Sequence, residues 1–335
     1  MYNTSMKKYD FVAIGDTVMD AFIRLNEAEV RCDADNKNCK LCVDFGAKVP
    51  FESLTELPAV GNSANASVSA ARLGLTTALI TNLGKDAHGT ESIASLTHDG
   101  VDTSFVTMHE GKKTNYHYVL WHKDDRTILI NHESYEYTLP DFGEPTWVYL
   151  SSLGGNTLAY HDAIADYFEA HPSIKVAFQP GTFQLKTGLD RLARLYARTE
   201  VFVCNVEEVQ GLLNDDKSTV PELLRQIQNH GPKIVVITDG KDGAYMLYEN
   251  KTYFMPPYPD QKPPLERTGA GDAFASTFVA MLALGKTPLV AIRLAPINSM
   301  SVVQHVGAQA GLLTLHELEA YAFAAPESYQ LQETV

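Results

Sequence analysis

The sequence predicts an α/β fold in which a doubly wound, mainly parallel sheet is flanked by helices. From Trp147 onward, short apolar segments of strand length alternate with longer segments of helical periodicity. Near the N-terminus, an apolar run from Phe11 to Ile14 reads as a buried first strand. Strands that alternate with helices pair in parallel, because each helix returns the chain to the same edge of the sheet. The 335 residues, 45% of them hydrophobic, suffice for one large domain with an appendage or for two smaller domains.

Composition narrows the class of protein. No run of about 18 apolar residues occurs, so no membrane span is predicted, and the polar segment from Met1 to Asp10 leads into a strand without a signal-peptide core. Four cysteines at this length do not indicate a disulfide framework, so the sequence predicts a cytoplasmic protein. The net charge of −14 disfavours nucleic-acid binding, which needs basic patches on phosphate. The predicted partner is a small molecule.

An acidic side chain follows the first strand. Asp20 lies just beyond Gly15-Asp16, where an open α/β sheet places its ligands. A carboxylate that accepts two hydroxyl protons can hold a vicinal diol, which makes Asp20 a candidate substrate ligand. Taken alone, Asp20 is more simply a solvated loop acid.

Two regions do not follow the alternation of strands and helices. Between residues 21 and 58, polar segments surround short strand-like runs at 41–43 and 48–51. Farther along, the runs 116–121 and 127–130 flank a charged segment, which predicts a β-hairpin.

Three cysteines fall within the first of these regions. Cys32, Cys39 and Cys42 have the spacing C-x6-C-x2-C. Three thiols close together suit zinc if a fourth ligand comes from elsewhere. One C-x2-C pair without a second is weak evidence for a metal, so reduced cysteines are the simpler interpretation.

A glycine turn and a helix follow between Val60 and Gly74. Small residues along this helix would let it lie close to a sheet. Gly61 and Asn62 would bring backbone and amide groups against substrate hydroxyls. Asn65 adds a side chain that both donates and accepts hydrogen bonds.

The C-terminal half supplies the remaining strands and helices. The predicted strands are 147–150, 176–178, 201–204 and 234–238, and the predicted helices are 159–170, 189–197 and 220–229. Asn205-Val206-Glu207-Glu208 follows one strand and, taken alone, reads as a helix start with acidic first-turn residues. Thr238 to Ala244 reads as a turn into a hairpin.

The segment Gly269-Ala270-Gly271-Asp272 precedes an apolar series of helical spacing, which predicts a helix N-terminus. Its small side chains leave backbone N–H groups open to a ligand, and the helix dipole favours negative charge there. Such an end could hold the charge that develops on a transferred phosphoryl group, while Asp272 takes the proton of an attacking hydroxyl. A tight turn with an ordinary first-turn acid is the alternative interpretation.

Together these segments resemble the ribokinase-like (PfkB) carbohydrate kinases. Thr268 to Phe274 matches the second signature of that family, and Gly61 to Gly74 follows the first signature. The two signatures occur in the family's order, and Gly15 with Asp20 matches its Gly-x-x-x-x-Asp. In and beside these two signatures, the chain departs from the family pattern at three positions, which are Val60, Glu266 and Arg267.

The resemblance implies an ATP-dependent kinase with one domain over residues 1–335. Residues 21–58 and 112–134 would form a small β-sheet lid that excludes water from the substrate. Asp272 would be the base, and the backbone of Gly269, Ala270 and Gly271 would be the anion hole. The implied substrate ligands are Asp20, Gly61, Asn62 and Asn65. The implied nucleotide ligands are Asn205, Glu208, Thr238, Gly240, Asn298 and Gly307, of which Asn205 and Glu208 would place Mg²⁺ through water. Relatives also suggest dependence on K⁺ and a homodimer formed through the lid.

The substrate stays open between several alternatives. In place of the family's frequent Asp-Pro-Asn-x-Arg, residues 179–184 read Gln-Pro-Gly-Thr-Phe-Gln, which favours a nucleoside kinase, and Tyr116, Tyr118 and Trp121 could stack on a base. A free-sugar kinase of the ribokinase or fructokinase type ranks almost equally. A sugar-phosphate kinase ranks lower because no obvious basic cluster binds a second phosphate. The basic residues that keep it open are Lys48, Lys112, Lys113 and Arg126. The rival from another class is a protein that binds a sugar or nucleotide without catalysis.

Overall fold

The computed structural model describes residues 8–33, 39–123 and 125–334. Its strands are β1 (Phe11–Ile14), β2 (Val18–Leu25), β3 (Glu29–Arg31), β4 (Lys40–Cys42), β5 (Phe51–Val60), β6 (Thr77–Gly84), β7 (Val101–Asp102), β8 (Val106–His109), β9 (Asn115–His122), β10 (Asp125–Asn131), β11 (Trp147–Leu150), β12 (Lys175–Phe178), β13 (Thr199–Asn205), β14 (Ile234–Thr238), β15 (Ala244–Tyr248), β16 (Lys251–Met255) and β17 (Gln332–Thr334). Its helices are α1 (Asn62–Arg72), α2 (Ala87–His98), α3 (Leu158–Ala170), α4 (Thr182–Thr187), α5 (Ala193–Arg198), α6 (Val206–Leu213), α7 (Val220–Gln228), α8 (Ala270–Ala283), α9 (Pro288–Val302) and α10 (Leu315–Phe323). None of the helices in these ranges combines the length and the hydrophobicity that a membrane span requires.

An eleven-stranded central sheet has the order β17-β16-β15-β14-β13-β12-β11-β1-β6-β7, with β8 also paired to β6. Neighbouring strands are parallel from β14 through β7 and antiparallel from β14 to β17. Most of the parallel strands are separated in the sequence by a helix, which is the connection that parallel pairing needs. The predicted doubly wound, mainly parallel sheet is therefore confirmed. The strands predicted at 147–150 and 234–238 have the observed bounds.

Helices cover both faces of the central sheet. Phe11 and Ala13 of β1 belong to the core that also contains residues of α1, α8 and α9. Val12 and Ile14 belong to a second core, which contains residues of α3, α5 and α7. Successive side chains of a strand point to opposite faces, so a strand covered on both faces is apolar along its whole length.

Two predicted elements differ from the structure. Of the helix predicted over 189–197, only the part from Ala193 onward is helical, as α5, and residues 189–192 form a turn. The short helix α4 lies before the predicted range and ends at Gly188, whose φ of 84° favours glycine. Of the strand-like run predicted at 48–51, only Phe51 lies in a strand, because β5 starts at that residue and extends for ten residues. Most side chains of β5 are exposed, so apolar patterning does not reveal it.

A separate four-stranded sheet, called here the small sheet, has the order β10-β9-β2-β5 and contains the strands of the two irregular regions except β3 and β4. The predicted hairpin is confirmed as the antiparallel pair β9 and β10. β2 enters the small sheet directly after β1, so Asp20 lies within a strand and not in the loop that the sequence predicted. The reason is that the apolar neighbours of Asp20, such as Met19 and Ala21, become buried when β2 pairs with β5 and β9.

The cysteine-rich segment forms a two-stranded ribbon of β3 and β4. Arg31 lies opposite Lys40 in this antiparallel pair, which brings the adjacent Cys32 and Cys39 together as a disulfide. The interpretation as three reduced cysteines is therefore wrong, and two of the three sulfurs of the zinc alternative are bonded to each other. Cys42 is a free, half-buried thiol. Within the described ranges, no group of three His, Cys, Asp or Glu side chains could hold a metal ion.

Candidate active site

Helix α8 begins beside a small cavity. Gly269 precedes the helix with a left-handed φ of 80°, and a Cβ at this position would collide with Ala308, so the turn requires glycine. Asp272 lies in the first turn of α8. Together with Gly269 and Gly271, it lines a cavity of about 180 Å³. The structure therefore brings Gly269 and Gly271 of the predicted anion hole to the same cavity as the predicted base, whereas Ala270 does not line this cavity.

Three side-chain amides donate hydrogen bonds to the half-buried Asp272 carboxylate. Asn62 Nδ2 lies 2.7 Å and Gln179 Nε2 lies 3.1 Å from Oδ1, while Asn65 Nδ2 lies 2.8 Å from Oδ2. Burial raises the pKa of Asp272, and the negative charge of Asp20 acts in the same direction, whereas the three amides oppose the rise. A carboxylate with a raised pKa is a better proton acceptor than a fully solvated one.

Two of these donors are themselves held in place. Asn65 Oδ1 accepts a hydrogen bond of 2.9 Å from Gln309 Nε2, which also donates to the Ala59 carbonyl at 2.7 Å. The hydroxyl of the buried Tyr149 donates to Gln179 Oε1. The carboxylate therefore has a fixed orientation. Gln179 was not assigned to the site from the sequence, although its place after the C-terminal end of β12 was a signal.

Another part of the small cavity is formed by the start of α6. Asn205 and Glu208 make a capping box: the Glu208 N–H donates to Asn205 Oδ1 at 2.8 Å, and the Asn205 N–H donates to Glu208 Oε2 at 3.0 Å. Burial raises the pKa of Glu208. Both residues line the same cavity as Asp272. Mg²⁺ prefers oxygen ligands and retains bound waters, so a carboxylate on the wall of a polar cavity with room for water fits this ion.

A second cavity, of about 380 Å³, adjoins the first. Thr238, Arg267 and Gly271 line both cavities, so the two spaces meet at the start of α8. Gly240 and Ala270 line only the larger one. The apolar side chains of the larger cavity include Pro257, Tyr258, Phe274, Pro296, Met300 and Val303. An apolar pocket that opens onto a helix N-terminus suits a flat ring system with an anionic tail.

The profile of the pfkB family carbohydrate kinases matches residues 28–315 of this sequence. The chain belongs to the PfkB family. A PfkB carbohydrate kinase is a phosphotransferase that uses an alcohol group as acceptor.

Individual relatives of this PfkB kinase agree with the family assignment. An uncharacterized sugar kinase of Archaeoglobus fulgidus is 26% identical over 251 residues, which cover 72% of this chain and 96% of the relative. Ribokinase of Bacillus subtilis is 24% identical over 267 residues, covering 77% and 86% of the two chains. The structure of Arabidopsis thaliana ribokinase complexed with ribose and ATP superposes with a TM-score of 0.78 at 18% identity and covers 94% of this chain and 99% of that one. The structural likeness supports the same fold.

One predicted nucleotide ligand of the PfkB kinase lies away from the larger cavity. Asn298 is fully buried: its Nδ2 donates to Thr277 Oγ1 at 2.8 Å, and its Oδ1 accepts from the Leu313 N–H at 2.9 Å. The residues of α9 that line the cavity, such as Pro296 and Ser299, recur at helical spacing, and Asn298 points elsewhere. Asn298 therefore fastens α9 to α8, and its position contradicts its assignment as a nucleotide ligand.

Gly307 also has a packing role. Its N–H donates to Glu266 Oε1 at 2.9 Å, and the other oxygen of Glu266 accepts from the Thr268 N–H at 2.8 Å. Gly307 has a φ of 82°, and a Cβ there would collide with Leu57 of β5. Gly307 lines neither of the two cavities, and a contact of Gly307 with the nucleotide stays a prediction. The buried Glu266, which replaces the family's usual Asp, instead joins the loop before α8 to the segment at Gly307.

The small sheet contributes a second polar cluster. Asp20 Oδ1 lies 3.4 Å from His117 Nδ1, and His117 Nε2 lies 3.0 Å from His132 Nε2. His132 Nδ1 lies 3.7 Å from Asp16 Oδ2. The two imidazoles share the hydrogen bond between their Nε2 atoms, so the four side chains form a carboxylate–imidazole–imidazole–carboxylate series. Only Asp20 was predicted, since the position of His117 opposite it depends on the register of β2 and β9.

Gly61 lies where the start of α1 approaches the end of β1. It has a φ of 111°, and a Cβ there would lie 2.8 Å from the Asp16 carbonyl oxygen. This close approach requires glycine and places Asn62 next to Asp272. A direct contact of Gly61 with substrate stays a prediction.

Proposed function

We propose that this PfkB kinase transfers the terminal phosphoryl group of ATP to an alcohol of a small sugar, with Asp272 as the general base. The observation that carries the proposal is the position of the Asp272 carboxylate. Three oriented amides hold it in the first turn of α8, at the cavity that joins the larger apolar cavity. An acceptor hydroxyl beside this carboxylate would face the helix N-terminus, which stabilises the transferred group.

The other groups divide between the two substrates. The backbone of Gly269, Ala270 and Gly271 would stabilise the phosphoryl group, and Thr238 and Gly240 would contact ATP in the larger cavity. The proposed acceptor ligands are Asp20, Gly61, Asn62 and Asn65. Asn205 and Glu208 would hold Mg²⁺ through water, and bound Mg²⁺ supplies positive charge that neutralises the phosphates.

The placement of the aromatic residues favours a free sugar over a nucleoside as the acceptor. Asp20 pairs with the residue between Tyr116 and Tyr118, so both tyrosines lie on the opposite face of the small sheet and cannot stack on a base beside Asp20. Trp121 lies on the same face as Asp20, but the guanidinium of Arg24 covers its ring at 4.7 Å.

The loop that favoured a nucleoside kinase in the sequence has a structural explanation. Gln184 is buried, its Oε1 accepts from the Gly181 N–H at 2.8 Å, and its Nε2 donates to the Ser151 carbonyl at 2.9 Å. A Cβ at Gly181 would collide with Ser152. The Pro-Gly segment and its Gln therefore serve to fix the start of α4 against the end of β11, which removes the reason to expect a nucleobase there.

A substrate panel tests the proposal. Purified protein with ATP and Mg²⁺ is offered ribose, fructose, adenosine, cytidine, guanosine, inosine, ribose 1-phosphate and fructose 6-phosphate, in K⁺ and in Na⁺ buffer. We expect turnover of a free sugar that is lost in Asp272→Asn. Turnover of a nucleoside or a sugar phosphate instead would overturn the free-sugar assignment. ATP hydrolysis that is the same with every acceptor and in Asp272→Asn would favour a binding protein and overturn the kinase mechanism.

A further inference from the structure

An arginine of the small sheet reaches the cavity of Asp272. Arg126 belongs to β10, and it lines the small cavity together with Asn205, Gly271 and Asp272. In the register of the sheet, Arg126 lies opposite Trp121, which is four residues from His117 on β9. Because side chains alternate along a strand, Arg126 lies on the face that carries His117 and Asp20.

A second arginine approaches from the central domain, which is the central sheet together with the helices that cover it. Arg267 lies two residues before Gly269 and lines both cavities, so it stands where they join. Arg126 lines only the smaller cavity, on the side of Asp272. The space beside the proposed base is therefore bordered by two arginines, one from the small sheet and one from the loop before α8.

We propose that Arg126 is a catalytic residue that contacts the phosphoryl group during its transfer. This inference rests on the function proposed above and adds a group supplied by the small sheet. A guanidinium presents five N–H donors in one plane and keeps its charge at any physiological pH, which suits the equatorial oxygens of a transferring phosphoryl group. Arg126 is half-buried, and a charge partly withdrawn from water stabilises the transition state more than it would in solution.

The chemical step defines what Arg126 would stabilise. The acceptor oxygen forms a bond to the terminal phosphorus of ATP as the bond from that phosphorus to the bridging oxygen of ADP breaks. The electron pair of the broken bond leaves with ADP, and the hydroxyl proton passes to Asp272. In the transition state the new bond is partly formed and the old bond partly broken, and negative charge is spread over the three equatorial oxygens of the phosphoryl group. Arg126 would donate hydrogen bonds to one or two of these oxygens.

The neighbours of Arg126 favour the phosphoryl group over an anionic substituent of the acceptor. Arg126 shares its cavity with Asn205, Glu208 and the first turn of α8, which are the groups proposed to hold the phosphates. Of the four proposed acceptor ligands, only Asn62 lines this cavity, and Asp20, Gly61 and Asn65 line neither cavity. An arginine that only recognised the acceptor would be expected beside Asp20.

The test compares Arg126→Ala and Arg126→Lys with the control Arg24→Ala. Arg24 also lies opposite Trp121, on β2, but it pairs with Glu52 at 3.2 Å and lines neither cavity. With the sugar that the wild type uses, we expect Arg126→Ala to lower kcat by roughly 10²–10³-fold, with KM for the sugar and the affinity for ADP little changed. Arg126→Lys should retain more activity than Arg126→Ala, and added guanidinium ion should restore part of the activity of Arg126→Ala only.

A binding measurement separates catalysis from folding. The complex of ADP, Mg²⁺ and aluminium fluoride mimics the transferring group, so calorimetry should show weaker binding of it to Arg126→Ala than to the wild type or to Arg24→Ala, with equal binding of ADP alone.

Three results would overturn the inference. An unchanged kcat would remove Arg126 from the chemical step, and a higher sugar KM with normal kcat would make it an acceptor ligand. Equal losses in Arg126→Ala and Arg24→Ala would make it structural. If Asp272→Asn is inactive while Arg126→Ala keeps its activity, this inference fails and the proposed function stands. If the wild type phosphorylates no acceptor, the proposed function itself fails.

Discussion

The central domain and the small sheet each contribute one carboxylate that is proposed to contact the acceptor, and they hold it in different ways. Asp272, in the first turn of α8, accepts hydrogen bonds from three amides. Asp20, on β2, is also buried, yet among the described residues its Oδ1 has no hydrogen-bond partner, and its ion-pair partner His117 lies at 3.4 Å.

This difference indicates two roles. A buried carboxylate oxygen without a hydrogen bond costs stability, and a ligand hydroxyl that donates to it recovers that cost on binding. Asp20 therefore has the character of a binding group. Asp272 is oriented in the absence of ligand and carries a raised pKa because of burial, which is the character of a base prepared for proton transfer.

The largest loss of kcat is expected from Asp272→Asn. The side-chain amide cannot take the hydroxyl proton, so kcat should fall by roughly 10²–10⁴-fold. The affinity for ATP, measured by calorimetry, should stay near that of the wild type. Asp260→Asn is the control, because Asp260 lines the larger cavity only and its variant should keep a normal kcat. A loss in Asp272→Asn no greater than that in Asp260→Asn would contradict the assignment of the base.

A smaller loss of activity is expected from Asp20→Asn, and it should appear in the KM of the sugar and not mainly in kcat. If Asp20 accepts the hydroxyl protons of the sugar, the variant should raise the KM of the sugar by roughly 10–100-fold, since a hydrogen bond to a charged group is worth about 1.5–3 kcal/mol. The effect on kcat should be much smaller than that of Asp272→Asn. An unchanged sugar KM would show that the two carboxylates do not divide base and ligand roles in this way.

The pH profile tests the environment of Asp272 more finely. Each amide stabilises the charged carboxylate, so removing the Asn65 donor in Asn65→Leu should raise the already raised pKa of Asp272 further. The base is active when deprotonated, so the acid limb of kcat/KM should move to higher pH. Thr277→Val is the control within α8, because Thr277 contacts Asn298 and not Asp272. An acid limb that stays in place or moves to lower pH in Asn65→Leu would argue against Asp272 as the titrating base.

Most of the site that the sequence predicted lies on the central domain, and Asp20 of the small sheet is the exception. Asn62, Asn65 and Asp272 follow glycine turns at the starts of α1 and α8, so local sequence is enough to place them. Asn298 was misassigned because the face that a residue occupies on a buried helix depends on packing. The roles of His117 and Arg126 escaped prediction because they depend on the register among β2, β9 and β10, strands that are far apart in the sequence.

The smallest effect on catalysis is expected from the outer face of the small sheet. Both faces of the central sheet are covered by helices, whereas Leu54, Tyr118 and Leu129 of the small sheet are 50%, 47% and 51% exposed. The register places these three side chains on one face, opposite to Asp20. A cluster of exposed apolar side chains on one face fits a homodimer formed through the small sheet.

The double variant Tyr118→Asp with Leu129→Asp should therefore convert a dimer to a monomer in light scattering. Its kcat should stay near that of the wild type, because the substituted side chains point away from the site. Phe323→Asp is the control: Phe323 is 95% exposed at the end of α10, far along the chain from the small sheet, and its loss should leave the assembly intact. A wild-type monomer, or a double variant that remains dimeric, would show that this apolar face is not the interface. A dimeric wild type whose double variant is monomeric but inactive would mean that assembly supports the site, and the small sheet would then contribute to catalysis through its outer face as well as through Asp20 and Arg126.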